Sequence, residues 1–292
     1  MRYIDHDAVE KNMSSRLNKN SIFKWIFFAA TTFGLLVLAV LLYRILTQGF
    51  GYLSLDFFTN FASRKPEIAG IKAAIVGSMW LMAVVAPVSF ILGVGTALYL
   101  EEYAKQNKIN NFIQVNISNL AGVPSVVFGL LGLTIFVRVF AFGTSVLAAG
   151  LTLALMILPV IIVASQEAIR SVSGELRDAS FGMGATKWQT IIRVVLPSAI
   201  PGILTGTILA VSRAIGETAP LVVIGIPTFL AFLPGSVLDT FTALPMQIYN
   251  WTGRPQAEFQ DLAAAGIIVL LALLILMNAI AVFIRNKFSQ RY

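Results

Sequence analysis

Six stretches of the chain are apolar for about the twenty residues that a helix needs to cross a bilayer. They lie at residues 25–46, 73–100 and 116–137, from the turn at 141–145 to just before Glu167, at 199–226 and at 262–284. Their hydrophobic positions run continuously instead of alternating, which predicts helices and not the strands of a barrel. In lipid a helix also satisfies its own backbone polar groups. Polar connections separate the runs: 47–70, with Gly49, Gly51, Asp56, Asn60, Arg64 and Pro66; 101–111; 170–193; and a long irregular segment, 227–260. The first run is longer than the apolar core of a cleaved signal peptide, about 7–15 residues, and ends in Leu42-Tyr43-Arg44 with no small-residue cleavage site. It is therefore expected to remain as a membrane helix.

Composition agrees. Of 292 residues, 57% are hydrophobic and 12% charged, against about 25% charged in soluble domains, and mean hydropathy is +0.82. With no cysteine and a single histidine, His6, the chain offers no thiolate metal site, no cysteine nucleophile and no Ser-His triad; neither cofactor nor metal is expected. The formal charge of +7 would suggest nucleic acid in a soluble protein. Here its placement matters more. Lys11, Arg16, Lys19 and Lys24 precede the first run. Lys105 and Lys108 follow the second, Arg170, Arg177, Lys187 and Arg193 the fourth, and Arg285 and Lys287 the last. The opposite connections hold fewer: Arg44, Arg64, Lys65, Lys72, Arg138 and Arg254, with Arg213 inside the fifth run. This asymmetry predicts both termini on the cytoplasmic side, lipid as the surrounding partner and no nucleic-acid role. The expected organisation is a loosely ordered cytoplasmic tail, 1–24; a first helix and external loop, 25–69; a transmembrane core, 70–285; and a cytoplasmic tail, 286–292.

In the connection between the fourth and fifth runs, Asp178-Ala179-Ser180-Phe181-Gly182-Met183-Gly184-Ala185 is followed by Val194-Val195-Leu196-Pro197. The pattern predicts two short helices bent at Gly184, where glycine permits a sharp turn. Pro197 is expected to break the second helix, and the small side chains at 179, 180 and 185 to allow close packing on a partner. The segment resembles the "EAA" loop of binding-protein-dependent ABC importer permeases, Glu-Ala-Ala, three residues, Gly, then Ile-x-Leu-Pro. Asp178, Ser180 and Val194 depart mildly from it; Ala179, Gly184, Leu196 and Pro197 match. The resemblance implies a type I ABC importer permease fold in which Asp178, Ala179, Gly184, Ala185, Leu196 and Pro197 belong to the loop that docks on an ATPase. The chain has no G-x-x-x-x-G-K-[ST] phosphate loop of its own, so nucleotide chemistry would sit on separate subunits.

The fifth run contains Ser212-Arg213-Ala214-Ile215-Gly216-Glu217-Thr218-Ala219-Pro220-Leu221. Charges within a membrane helix cost about 2.5–3.5 kcal/mol each and seldom face lipid. At i and i+4, Arg213 and Glu217 are expected to share a face and pair. Beside them runs a ridge of small residues, Gly202, Gly206, Ala210, Ala214 and Thr218, suited to close helix packing. Gly216 and Pro220 weaken the helix, which is tolerated where a span lines a cavity. The pair would either fix helix position or contact an anion on its path, since guanidinium presents a planar fork of donors to oxyanions. The stretch resembles the signature of phosphate permeases of the PstA type, over nearly the whole chain and most strongly from 70 to 285. That resemblance implies phosphate as substrate and a substrate path through Arg213, Glu217 and Thr218. It implies a PstC-type permease, two ATPase subunits and an external phosphate-binding protein as partners, in a bacterial inner membrane. One departure concerns Val163, where some relatives carry an arginine after the segment matching residues 158–162. A permease for molybdate or sulfate, or an ATP-independent channel or secondary transporter, are the alternatives.

Other features carry less. Arg138 is either an anion-attracting residue at the outer mouth or an arginine snorkelling to the interface. Phe229, Phe232, Tyr249 and Trp251 suit a membrane-interface belt or a docking face equally. Pro124 and Pro159 are expected to kink helices, and Glu101 and Glu102 to lie in a solvated charged loop.

Overall fold

The computed structural model describes residues 6–105 and 107–288; the outermost parts of the two expected tails, 1–5 and 289–292, lie outside them. Helix α1 (His6–Gly49) corrects the expectation of a loose tail, because residues 6–24 continue without a break into the first span. Nothing in that stretch stops a helix: it contains neither proline nor glycine. A short helix, α2 (Leu55–Thr59), is capped by Ser54, whose hydroxyl accepts from Phe57 N. Then follow α3 (Lys72–Leu98) with a π-turn at Tyr99–Tyr103, α4 (Lys108–Leu120), α5 (Ser125–Gly132) with a π-turn at Leu133–Val139, and α6 (Val146–Arg170). Two short helices, α7 (Gly174–Gly182) and α8 (Lys187–Thr190), form an elbow. The chain continues through α9 (Leu196–Ile215), α10 (Ala219–Ile224), α11 (Leu244–Thr252) and α12 (Ala257–Phe288).

Among the described residues, five helical stretches are long and apolar enough to cross a membrane: Arg16–Tyr52, Lys72–Tyr103, Val146–Arg170, Lys187–Ile215 and Ala257–Lys287. The run expected at 116–137 is instead two helices, Lys108–Leu120 and Ser125–Val139, bent by 106°, which add a sixth crossing if the pair is one broken span. Gly122 and Pro124 account for the bend: Pro124 has extended backbone and no N–H to continue a helix from α4. Pro159, by contrast, sits within an unbroken α6.

Helix α6 is the most buried span and lies between α3 and α9. The small-residue ridge foreseen on α9 meets α6 directly. A Cβ on Gly202 would come within 2.8 Å of Ala168 Cβ, and one on Gly206 within 2.3 Å of Ala164 Cβ. Ala210 and Ala214 are buried in the main core with Val85, Leu153, Ile157 and Ile161.

The long segment before α12 is more ordered than its composition suggests. Its backbone crosses α3 so closely that a Cβ on Gly77 would overlap the Thr242 carbonyl, and Leu244 N donates to Ser78 Oγ at 2.8 Å. Trp251 is fully buried against Phe57, with ring centres 6.0 Å apart, in a second cluster with Phe259 and Leu262. It belongs to the core, whereas Phe229, Phe232 and Tyr249 are exposed. Gln247 ties this segment together, donating to the Thr228 carbonyl and accepting from the Trp251 indole. Val146 N and Leu147 N, at the start of α6, donate to the Asp239 and Val237 carbonyls.

Candidate functional site

The polar residues of the fifth span fall at a helix break. Helix α9 ends at Ile215; Gly216 N and Glu217 N both fold back onto the Ala214 carbonyl. Thr218 then opens α10, with Pro220 in its first turn and Gly225 closing it at φ +83°. The break corrects the expected ion pair. Glu217 is no longer on the helix that carries Arg213, so the i,i+4 relation does not apply. Among the described residues three ion pairs form, and neither Arg213 nor Glu217 takes part in one. Arg213 is exposed, while Glu217 and Thr218 are half-buried. The three polar groups thus stand around one exposed helix end with their hydrogen-bonding capacity unspent on each other. One residue earlier, Ser212 Oγ bonds back to the Ile208 carbonyl and meets Asn278 Oδ1 of α12, which fixes the last turn of α9. Val163 is half-buried on α6, and Arg138 is exposed at the end of its π-turn.

The elbow forms as its spacing predicts. Gly184 adopts φ +84°, a left-handed conformation that side-chain-bearing residues disfavour. Its N–H bonds to the Phe181 carbonyl and that of Ala185 to the Ser180 carbonyl. Thr186 and Gln189 make a reciprocal capping box that starts α8. Of the small residues, Ala179 is exposed and Ala185 half-buried. Ser180 faces inward, 4% exposed, and shares a 2.9 Å hydroxyl bond with Thr190 that closes α7 against α8. Asp178 is exposed. The outer surface of the elbow carries Leu176, Phe181, Met183 and Trp188, with Met183 84% and Trp188 57% exposed; large apolar side chains in so polar a segment mark a contact surface.

Pro197 does not break the second helix, contrary to expectation. The helix widens to a π-turn over Ile191–Val195, where Leu196 N bonds to the Ile191 carbonyl five residues back. A widened turn absorbs the donor that proline lacks, so Lys187–Ile215 runs on as one helix of 29 residues. Leu196 and Pro197 are half-buried at its junction.

Glu101 and Glu102 are not in a solvated loop. They stand on the π-turn that ends α3, with side chains 13% and 9% exposed. Glu101 accepts from Arg170 Nε and Nη2 at 2.9 and 2.6 Å and from Gln166 Nε2 at 2.9 Å. Glu102 accepts from Arg177 Nη1, whose other arm donates to the Ile169 carbonyl. Sequence reasoning missed these partners because they lie 65 to 75 positions away.

Comparison with known proteins places these features in context. Residues 89–292 match the family described as binding-protein-dependent transport system inner membrane component. The chain is 32% identical over 282 residues to the phosphate transport system permease protein PstA 1 of Mycobacterium tuberculosis, covering 92% of this chain and 90% of that one. It is 31% identical to the phosphate transport system permease protein PstA of Yersinia pestis, covering 96% and 95%. Against a probable ABC transporter permease protein, YqgI, of Bacillus subtilis, identity is 32%, with 84% and 87% covered. Among solved structures, a chain of a bacterial ABC transporter involved in import of the acidic polysaccharide alginate superposes with a TM-score of 0.67 at 15% identity, covering 94% of this chain and 100% of that chain. A chain of the inward-facing MetNI methionine ABC transporter gives 0.58 at 17% identity, covering 74% and 95%. At such identities the two structures speak for the fold alone.

Proposed function

Because the chain belongs to the family of binding-protein-dependent transport system inner membrane components, we propose that it is the transmembrane permease subunit of an ATP-driven phosphate importer. It is a multi-pass inner-membrane protein with an all-α ABC importer permease fold. The observation that carries the substrate is the near-full-length similarity to phosphate transport permeases. In this reading the chain supplies half of the channel and a homologous PstC-type permease the other half. Two ATPase subunits bind the elbows, and an external phosphate-binding protein delivers the anion. Both termini face the cytoplasm, on the same side as the elbow, in keeping with the distribution of Lys and Arg.

The substrate path runs past the α9–α10 break. Arg213 offers its guanidinium fork to phosphate oxygens. Glu217, with no ion-pair partner among the described residues, accepts a hydrogen bond from a protonated phosphate oxygen and repels a fully ionised oxyanion. Thr218 adds a hydroxyl at the same helix end. No bond is made or broken in the passing anion, so this subunit is not an enzyme, and ATP hydrolysis belongs to the partner ATPases. The exposed Leu176, Phe181, Met183 and Trp188 surface is where the ATPase seats. The test is uptake of labelled phosphate into proteoliposomes holding all the subunits, with and without ATP, and with sulfate and molybdate as competitors. ATP-dependent phosphate uptake that neither competitor suppresses supports the reading. Competition by either at equal concentration reassigns the substrate, and uptake without ATP removes the importer reading altogether.

A further inference from the structure

The π-turn at the end of α3 joins three different elements through three consecutive residues. Glu101 reaches α6, through Gln166 and Arg170. Glu102 reaches Arg177 on α7. The Tyr103 ring lies under Lys187 Nζ of α8, 5.1 Å from its centre. The two ion pairs have different spans. Glu101 and Arg170 stay within the core and hold α3 to α6. Glu102 and Arg177 cross from the core to the elbow, and Arg177 adds a 2.8 Å bond to the Ile169 carbonyl in the last turns of α6. With side chains 9% and 25% exposed, this second pair is shielded from solvent, and loss of either partner leaves a poorly solvated charge. The elbow is therefore attached to the membrane core at three places: covalently through residues 171–173 to α6 and through α8 into α9, and non-covalently through Arg177 onto the end of α3.

We propose that the Tyr99–Tyr103 turn relays elbow movement to the paired helices α3 and α6, with Glu102 and Arg177 as the positioning residues of that relay; this rests on the importer reading above. An elbow held by its chain connections alone would move α6 and α9 past α3. One clamped through Arg177 to both α3 and α6 carries three spans together. Glu102 and Arg177 touch neither the substrate path nor the exposed apolar face of the elbow, so their loss leaves anion contact and ATPase seating in place while the movement is no longer shared.

The experiment uses the full complex in proteoliposomes: this chain with its partner permease, the ATPases and the binding protein loaded with phosphate. Glu102→Gln and Arg177→Gln are measured singly, beside the charge exchange Glu102→Arg with Arg177→Glu. The readout is anion imported per ATP hydrolysed. Each single variant should lower that ratio about tenfold, the size expected for a residue on such a contact network, with basal hydrolysis unchanged. The exchange restores the ion pair but not the bond to the Ile169 carbonyl, so it should recover part of the loss; a merely structural role would lower import and hydrolysis together and leave their ratio unchanged. Singles that import as much per ATP as wild type, or an exchange no better than the singles, overturn the relay. A wild-type complex that carries sulfate or molybdate instead of phosphate overturns the substrate reading alone, and the same ratios are then read with that anion.

Discussion

Replacing Gly206 by alanine tests whether the small-residue ridge sets the distance between α9 and α6. The added Cβ would fall 2.3 Å from Ala164 Cβ. Carbon atoms in favourable contact lie about 3.5–4.0 Å apart, so the helices must part locally by about 1.2 Å or more. Ala164 has no alternative rotamer with which to give way, and the displacement has to come from the backbone. Overpacking of this kind costs about 1–3 kcal/mol. Against it stands a gain of about 0.5–1 kcal/mol from replacing glycine within a helix. The net expectation is a loss of about 1 kcal/mol, together with reduced uptake, because α9 carries Arg213 about two turns further on. Gly95→Ala on α3 is the matching control: no atom lies within 4 Å of the position its Cβ would take, so only the gain applies. The assay is the unfolding midpoint of the assembled complex at a fixed scan rate, with uptake at matched membrane levels. Equal midpoints for Gly206→Ala and wild type would refute the close-contact argument, as would equal losses in Gly206→Ala and Gly95→Ala.

The other expectations concern the helix break, the elbow and the loop over α6. Arg213→Lys and Glu217→Gln should each insert and assemble but lose uptake, and Glu217→Gln should also become more sensitive to sulfate; normal uptake in both variants removes them from the path. Gly184→Val forces a β-branched residue into φ +84°, at a strain of about 1–2 kcal/mol. Among the described residues nothing beyond its chain neighbours lies within 4 Å of the new Cβ, so the protein should still fold while import and coupled ATP hydrolysis fall, and wild-type values of both would exclude the elbow as coupling element. The Asp239 carboxylate accepts from Gly235 N, Ser236 N and Ser236 Oγ, which holds its pKa below the ordinary 3.8. A lowered folded pKa contributes stability above the unfolded value and loses it as pH falls through the folded one. Protection of the Val146 and Leu147 amides, bonded to the Asp239 and Val237 carbonyls, should therefore persist at neutral and mildly acid pH. It should drop in Asp239→Asn at neutral pH, and unchanged protection there would deny the carboxylate its role.

Local rules read correctly wherever the cause was local. Gly184 turns because its own φ requires it, and the spacing of Gly202, Gly206, Ala210 and Ala214 announced a packing face before any neighbour was known. Hydropathy located the third apolar run but not its bend. α4 interleaves Asn110, Asn111, Gln114, Asn116 and Asn119 with apolar residues, and an averaged profile places the start of a span where the structure has a bent junction. The Arg213–Glu217 pairing rule assumed an unbroken helix, although Gly216 between the two residues already argued against one. At Pro197 the rule that proline ends a helix gave the wrong outcome, since a π-turn upstream satisfied the backbone instead. Glu101, Glu102 and Trp251 were out of reach for a different reason: their partners are brought to them by the tertiary fold.

The uninterrupted helix from Lys187 to Ile215 gives this arrangement its mechanical sense. Its 29 residues at about 1.5 Å each span roughly 43 Å, from the elbow turn at Gly184 to the break at Gly216. Both ends are breaks in the helix, and between them it continues through the π-turn and past Pro197 and Pro201. It therefore connects the elbow directly to the Arg213 end of α9. Over its first turns α9 cannot slide freely past α6, since Gly202 and Gly206 seat it against Ala168 and Ala164. α9 is thus seated on α6 over these turns, so the two helices are expected to shift together. Substitutions that loosen this seat should alter where the proposed anion site lies, whereas substitutions at Gly184 should alter whether it moves at all. Those two classes separate in one measurement: the first changes phosphate affinity with import per ATP preserved, and the second changes import per ATP with affinity preserved.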